Sequence, residues 1–194
     1  MPTPYLIVIF GLIATGKTTV AKALAAATGW PVIHSDVVRK ILAGIPPTQR
    51  VLVPYGQGIY HPEFSGRTYE EMFRQAGEYL AQGRSVILDG SFMRAADRQR
   101  ARELAAAYQA KPVFFLCTCP WETVRQRLQQ RQENQGAVSN GRQEILAAQK
   151  QGFQPPEDLA GAALLQLATD RPLPQIVKEA LEFIGIDPTT MAGE

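Results

Sequence analysis

Cysteine is nearly absent: Cys117 and Cys119 are the only two in 194 residues. Two apart on an expected strand, they point the same way, which suits a core or a sheet face and leaves no disulfide framework. Histidine is equally scarce, and His34 and His61 do not add the further ligands at suitable spacing that a zinc site would need. Charge of one sign is missing too. Twenty Lys and Arg against 18 Asp and Glu leave a net charge of +2, too little for general attraction to nucleic acid or a membrane, so anion recognition must come from local arginines. No apolar run reaches the roughly 20 residues needed to cross a bilayer. The run Tyr5 to Ala14 has no Lys or Arg before it and enters a glycine loop directly, unlike a signal-peptide core. Repeats and low-complexity tracts are also lacking. With 45% hydrophobic and 20% charged residues, the chain reads as one soluble α/β domain of the reducing cytoplasm.

What is present is organised around Gly11-Leu12-Ile13-Ala14-Thr15-Gly16-Lys17-Thr18, which fits G-x-x-x-x-G-K-[ST], the P-loop pattern. Gly11 and Gly16 permit turns that a Cβ would hinder, so backbone N–H groups and a helix N-terminus converge on one anion. Lys17 brings a point charge to the β- and γ-phosphates, and Thr18 offers a hydroxyl to Mg²⁺. Ala14, Thr15 and Thr19 complete the expected nucleotide contacts. Tyr5 to Phe10 reads as a buried strand entering the loop and Thr18 to Ala27 as a helix leaving it, the context the motif requires.

Farther along, Val32 to Ser35 forms a short strand ending at Asp36, and Val37 to Ala43 a short helix. Residues 44–66 are rich in Pro, Gly and aromatics without periodicity, a long loop of the kind that binds or closes over something. Apolar spacing predicts a helix over Arg67 to Gln82, then a strand Ser85 to Asp89 and a helix Ala95 to Gln109. Pro112 to Cys117 is a fourth strand, and Pro120 opens a helix carrying Arg125, Arg127 and Arg131. The polar loop 134–141 follows, helix resumes over Arg142 to Gln151, Ala163 to Ala168 is a fifth strand, and Pro172 to Ile184 a last helix. The tail from Asp187 is expected to be loosely held. Alternating strands and helices predict a five-stranded, mainly parallel sheet with ligands at the strands' carboxyl ends, where Gly11, Asp36 and Asp89 all fall.

Asp36 at a strand end suits a base that orients an attacking hydroxyl, a role compatible with its other reading as a helix N-cap. Asp89, closing an apolar strand, has the form of the acid that assists Mg²⁺. Arg127 and Arg131, four apart, share a helix face beside a flexible loop, which suits a lid that closes on the phosphoryl group or a solvated face. Arg94 and Arg98 share that spacing with a stronger claim to a solvated face. Tyr55, Tyr60, His61 and Phe64 read as acceptor-pocket lining or as packing, and His34 as a core or rim residue.

Gly11 to Thr18, Ser35 to Lys40, Val86 to Phe92 and Arg127 to Arg131, in this order and spacing, resemble the AAA-type P-loop kinases over nearly the whole chain. That group is similar to the polynucleotide 5′-hydroxyl kinase domain and, more distantly, to gluconate, shikimate and zeta-toxin kinases. The resemblance implies the P-loop NTPase fold of nucleoside/nucleotide-kinase type over 1–186, with a mobile helical lid at about 120–142 and a flexible tail at 187–194. It also implies that Asp36 activates the acceptor, that Arg39 contacts acceptor or phosphate, that Arg127 and Arg131 belong to the lid, and that Asp170-Arg171-Pro172 lies against adenine. Where several relatives carry Asp-x-Asp, this chain has His34-Ser35-Asp36, so Asp89 or water must assist the metal. The expected activity is transfer of the γ-phosphoryl of ATP, with Mg²⁺, to a small-molecule hydroxyl. A nucleic-acid 5′-hydroxyl is the first alternative and a slow NTP-driven switch the second; no membrane partner is expected.

Overall fold

The computed structural model describes residues 2–49, 51, 56–133 and 140–187, and of residues 131–133 and 140–144 the backbone alone. Five strands, β1 (Tyr5–Phe10), β2 (Val32–His34), β3 (Val86–Asp89), β4 (Lys111–Thr118) and β5 (Ala163–Ala168), form one sheet in the order β2-β3-β1-β4-β5. Every pairing is parallel. The helices are α1 (Lys17–Thr28), α2 (Ser35–Leu42), α3 (Pro62–Ala81), α4 (Ala95–Ala107), α5 (Trp121–Glu133), α6 (Asn140–Gly152) and α7 (Leu173–Phe183).

Period-2 alternation along β1 builds both halves of the core. Leu6, Val8 and Phe10 pack with Val38 of α2, Met72 and Phe73 of α3, and Ala101 and Ala105 of α4. Ile7 and Ile9, on the other face, meet Val20 and Leu24 of α1 and Ile176 and Leu181 of α7. Because helices cover both faces, the strands read as continuous apolar runs, as a parallel sheet requires. A small separate cluster of Ala14, Val124, Leu128 and Leu146 joins α5 and α6 to the P-loop.

Two boundaries differ from expectation in ways that bear on the site. The first is at α3, which begins at Pro62 rather than Arg67, because His61 Nδ1 accepts the Glu63 N–H at 3.3 Å and Pro62 takes the first helical position. This first turn is largely polar on its outer side, so apolar spacing does not reveal it. The second is at α2, which begins at Ser35 with His34 at the cap position, so Asp36 is in the first turn and is not the N-cap. Its carboxylate is still well placed, since acidic groups in a first turn complement the helix dipole. The expected loop over 134–141 falls for residues 134–139 outside the described residues, as do Tyr55 and, beyond Asp187, the tail.

Candidate active site

At the carboxyl end of β1 the chain turns through Gly11 at φ +137°, where a Cβ would stand 2.6 Å from the carbonyl oxygen of Cys117 on β4. Only glycine fits there. Gly16, at φ +89°, caps α1 where a Cβ would stand 3.2 Å from Thr169, and Ala14 between them also has a left-handed φ of 61°. Strain of this kind is held only where surrounding contacts fix the loop. Those contacts are present: Thr15 Oγ1 donates to Leu12 O at 2.8 Å, and Thr169 Oγ1 donates to Thr15 O at 2.6 Å. Lys17 Nζ donates to Leu12 O at 2.6 Å, which folds the ammonium back over the loop.

Thr18 and Thr19 open α1 and are exposed. Thr18 Oγ1 donates to Asp89 Oδ2 at 2.7 Å, and His34 Nδ1 lies 2.8 Å from the same oxygen. Three strand ends are thus stitched together, with Asp89 buried between β1's loop and β2. His34 is therefore a rim residue bonded to the acid.

A cavity of about 600 Å³ opens beside this cluster. Lys17, Thr18 and Asp89 line one side, and Asp36 and Arg39 of α2 another. Asp36, its side chain 55% exposed, pairs with Lys40 at 2.8 Å, and the Tyr60 hydroxyl is 3.5 Å from its Oδ1. Arg39 donates to Ile59 O at 2.7 Å and to Ser65 Oγ at 3.0 Å, with its guanidinium over the Tyr60 ring. Tyr60 thus lines the cavity, whereas His61 caps α3 and Phe64 stacks with Arg67. On the far wall the buried Tyr69 hydroxyl bonds to Ser91 Oγ at 3.1 Å and accepts from the Phe92 N–H at 2.9 Å. Burial pushes its pKa up against the lowering effect of those bonds. Phe92, at φ +39°, is thereby held in a turn that aims Ser91 at the cavity.

The arginines divide in a way that helical spacing does not show. Arg127 is not on a solvated face: it donates to Ala14 O at 3.3 Å and to Thr169 Oγ1 and O at 3.2 and 2.6 Å, bracing the P-loop from behind. Arg131 lies on α5, but its side chain is outside the described residues. Arg98 overturns the surface reading outright. It is 0% exposed, pairs with Asp158, donates to the carbonyls of Phe92, Gln154 and Pro155, and lies over the Phe10 ring. Arg94 pairs with Asp97 at 2.8 Å and lines the cavity. Arg171, just after β5, donates to Ala168 O at 3.1 Å and pairs with Glu179.

Sequence reasoning missed Thr169, Tyr69, Ser91 and Gln149. Thr169 could have been found, because it follows a strand's carboxyl end. Gln149, which accepts the Ile13 N–H at 2.7 Å, carried no such signal.

With this geometry in place, a family model for the AAA domain matches residues 6–156, which hold the P-loop, Asp36, Asp89 and Arg127. The chain belongs to the AAA domain family. An uncharacterized protein of Mycobacterium tuberculosis is 32% identical to this chain over 146 residues, 75% of its length. The chain spans only 29% of the length of that relative. A gluconokinase from Sinorhizobium meliloti superposes with a TM-score of 0.64 at 22% identity, covering 95% of this chain and 94% of its own. The Mycobacterium tuberculosis APS kinase, solved with AMPPNP and APS, superposes with a TM-score of 0.67 at 16% identity, covering 95% and 99%. The AAA domain therefore has the fold of P-loop kinases. Among its described residues no helix is long and apolar enough to cross a membrane.

Proposed function

We propose that this chain is a P-loop kinase that transfers the γ-phosphoryl of ATP to a hydroxyl of a small molecule. The carrying observation is that one cavity is lined by Lys17 and Thr18 of the P-loop, by Asp89, and by Asp36 and Arg39 from a separate helix. A hydrolase needs only the first part. A carboxylate and a cation on an independent wall are what an acceptor site adds.

The residues fit both expected ligands. Left-handed backbone at Gly11, Ala14 and Gly16 leaves a loop of amides suited to an anion, and Gly11, Ala14, Thr15, Gly16, Lys17, Thr18 and Thr19 hold the nucleotide in this reading. A hydroxyl and a carboxylate, Thr18 and Asp89, are hard oxygen donors, and Mg²⁺ commonly takes one or two protein ligands besides phosphates and water. Bound there, Mg²⁺ would neutralise charge on the phosphates as the terminal group leaves. Among the described residues no cluster of three or more His, Cys, Asp or Glu offers a competing metal site.

Asp36 accepts the proton of the attacking hydroxyl in this scheme, and its exposure in the open cavity lets an acceptor reach it. Arg39, already fixed by Ile59 and Ser65, orients the acceptor or its incoming phosphate. Arg127 acts from behind the P-loop and Arg131 from the lid of residues 120–142, with Arg171 on the nucleotide-base side. Both cysteines are free thiols, which suits the cytoplasm. The test is a labelled-ATP transfer screen over nucleosides, 5′-hydroxyl oligonucleotides, sugars and aminoglycosides. Label transferred to one acceptor class supports the kinase; acceptor-independent hydrolysis alone would return the chain to the switch reading.

A further inference from the structure

We propose that Gln149 of α6 reads the terminal phosphate: its carboxamide docks α6 on the P-loop and makes the site favour a nucleoside triphosphate over a diphosphate. This rests on the nucleotide-binding reading above. The Ile13 N–H lies inside the loop whose amides cradle phosphates, and it donates to Gln149 Oε1 at 2.7 Å across 136 residues of sequence. Within the motif, Ile13, Lys17 and Thr18 line the cavity while Ala14, Thr15 and Gly16 do not. Ile13 therefore faces the acceptor side of the loop. Since the motif lysine reaches the β- and γ-phosphates, the phosphate nearest to Gln149 is the terminal one.

A carboxamide carries an acceptor at one end and two donors at the other. With Oε1 committed to Ile13, the Nε2 donors are unbonded among the described residues, on a side chain that lines the cavity. The placement is not that of a roaming surface glutamine. Leu146, one turn before Gln149, is buried with Ala14, Val124 and Leu128, which seats the same face of α6 on the P-loop. Lys150, the next residue, lies 3.7 Å from the centre of the Trp121 ring and clasps α6 to the start of α5. A phosphate arriving at the loop meets amide donors at 149. Diphosphate, lacking the group that extends to the cavity side, does not.

Titration calorimetry with ADP and with the non-hydrolysable AMP-PNP, both with Mg²⁺, separates the cases in wild type, Gln149→Met and Gln149→Glu. Loss of the donors in Gln149→Met should weaken AMP-PNP about 10-fold, a hydrogen bond to a charged group being at stake. The carboxylate of Gln149→Glu should weaken it further, on the order of 100-fold, by repulsion at close range. ADP affinity should stay within about 2-fold in both, since the interaction involves only the third phosphate. Met preserves side-chain length and helix propensity, so a melting curve checks the fold. Hydrogen exchange at the Ile13 amide supplies a readout free of nucleotide: protected in wild type, faster in Gln149→Met. Equal shifts for both nucleotides, no shift for either, or an Ile13 amide unchanged in folded Gln149→Met would overturn the proposal. A wild type that binds neither nucleotide defeats the P-loop reading itself, whereas intact binding with no ATP-specific loss defeats this inference alone.

Discussion

At the scale of single residues, the site separates groups that hold the nucleotide from groups that serve the acceptor, and substitutions should separate them too. Lys17 is tied to Leu12 O at the cavity wall and fills no core volume, so Lys17→Ala should fold normally. It should lose about 10²-fold or more in turnover and weaken in ATP binding, as removal of a preorganised charge at a transferring group does. A folded Lys17→Ala protein with wild-type turnover would sink the phosphate assignment. Asp36 makes the opposite case. Its own side chain is half exposed, and Lys40, though largely covered, also donates to Pro47 O at 3.1 Å, so Asp36→Asn should lower the melting temperature only slightly. Phosphoryl transfer should fall about 10²- to 10⁴-fold with nucleotide affinity intact. Transfer at the wild-type rate would reduce Asp36 to a first-turn acid that merely complements the α2 dipole.

Among elements, a buried arginine is a main tether of the connection after α6, beside Arg102 on Asp158 O and the Gln154 bonds to Met93 and Ala95. Arg98 joins α4 to Asp158 in the 3-10 turn Pro156–Leu159 and to the carbonyl of Phe92, whose turn positions Ser91. Asp158→Ala strands that guanidinium without its counter-charge, and should cost about 3 kcal/mol, read as a lower urea midpoint at unchanged slope. A cost below about 0.5 kcal/mol would mean that the three carbonyls hold Arg98 unaided. The same pair shows why part of this molecule was hidden in its sequence. Strands such as Tyr5 to Phe10 announce themselves because burial on both faces demands an unbroken apolar run. The P-loop is equally plain, since sterics at Gly11 admit only glycine. Arg98 and Arg127 are different: whether a helical arginine faces water or partners inside the fold depends on residues 42 to 113 positions away. Helical spacing alone carries no such information. The Asp36 cap was misplaced for a local reason, because helix begins at Ser35 directly after the three-residue strand β2.

For the molecule as a whole, Cys117 is an internal gauge of intactness. It lies buried in β4, next to the central strand, and desolvation pushes its thiol up to about 12, with Asp89 adding to the rise and Lys17 and Arg127 opposing it. A raised pKa means that the native state retains a proton the unfolded chain would release near 9, so this contribution is complete below about pH 9 and is lost as pH rises toward 12. At pH 8, an alkylating reagent should therefore modify the partly exposed Cys119 first and reach Cys117 only as fast as the fold opens. Equal labelling rates in the native protein would contradict that picture. The strand order β2-β3-β1-β4-β5 bears on how such a protein is born. β1 is the middle of the sheet, yet Leu6 pairs with Val86 and Tyr5 with Lys111, so its backbone finds no ladder partner until about 80 further residues exist. At roughly 5 to 20 residues per second, the ribosome leaves Tyr5–Phe10 unpaired for about 4 to 16 s. That six-residue apolar segment is the place where a nascent-chain chaperone should dock, and its binding should end once β3 has cleared the exit tunnel.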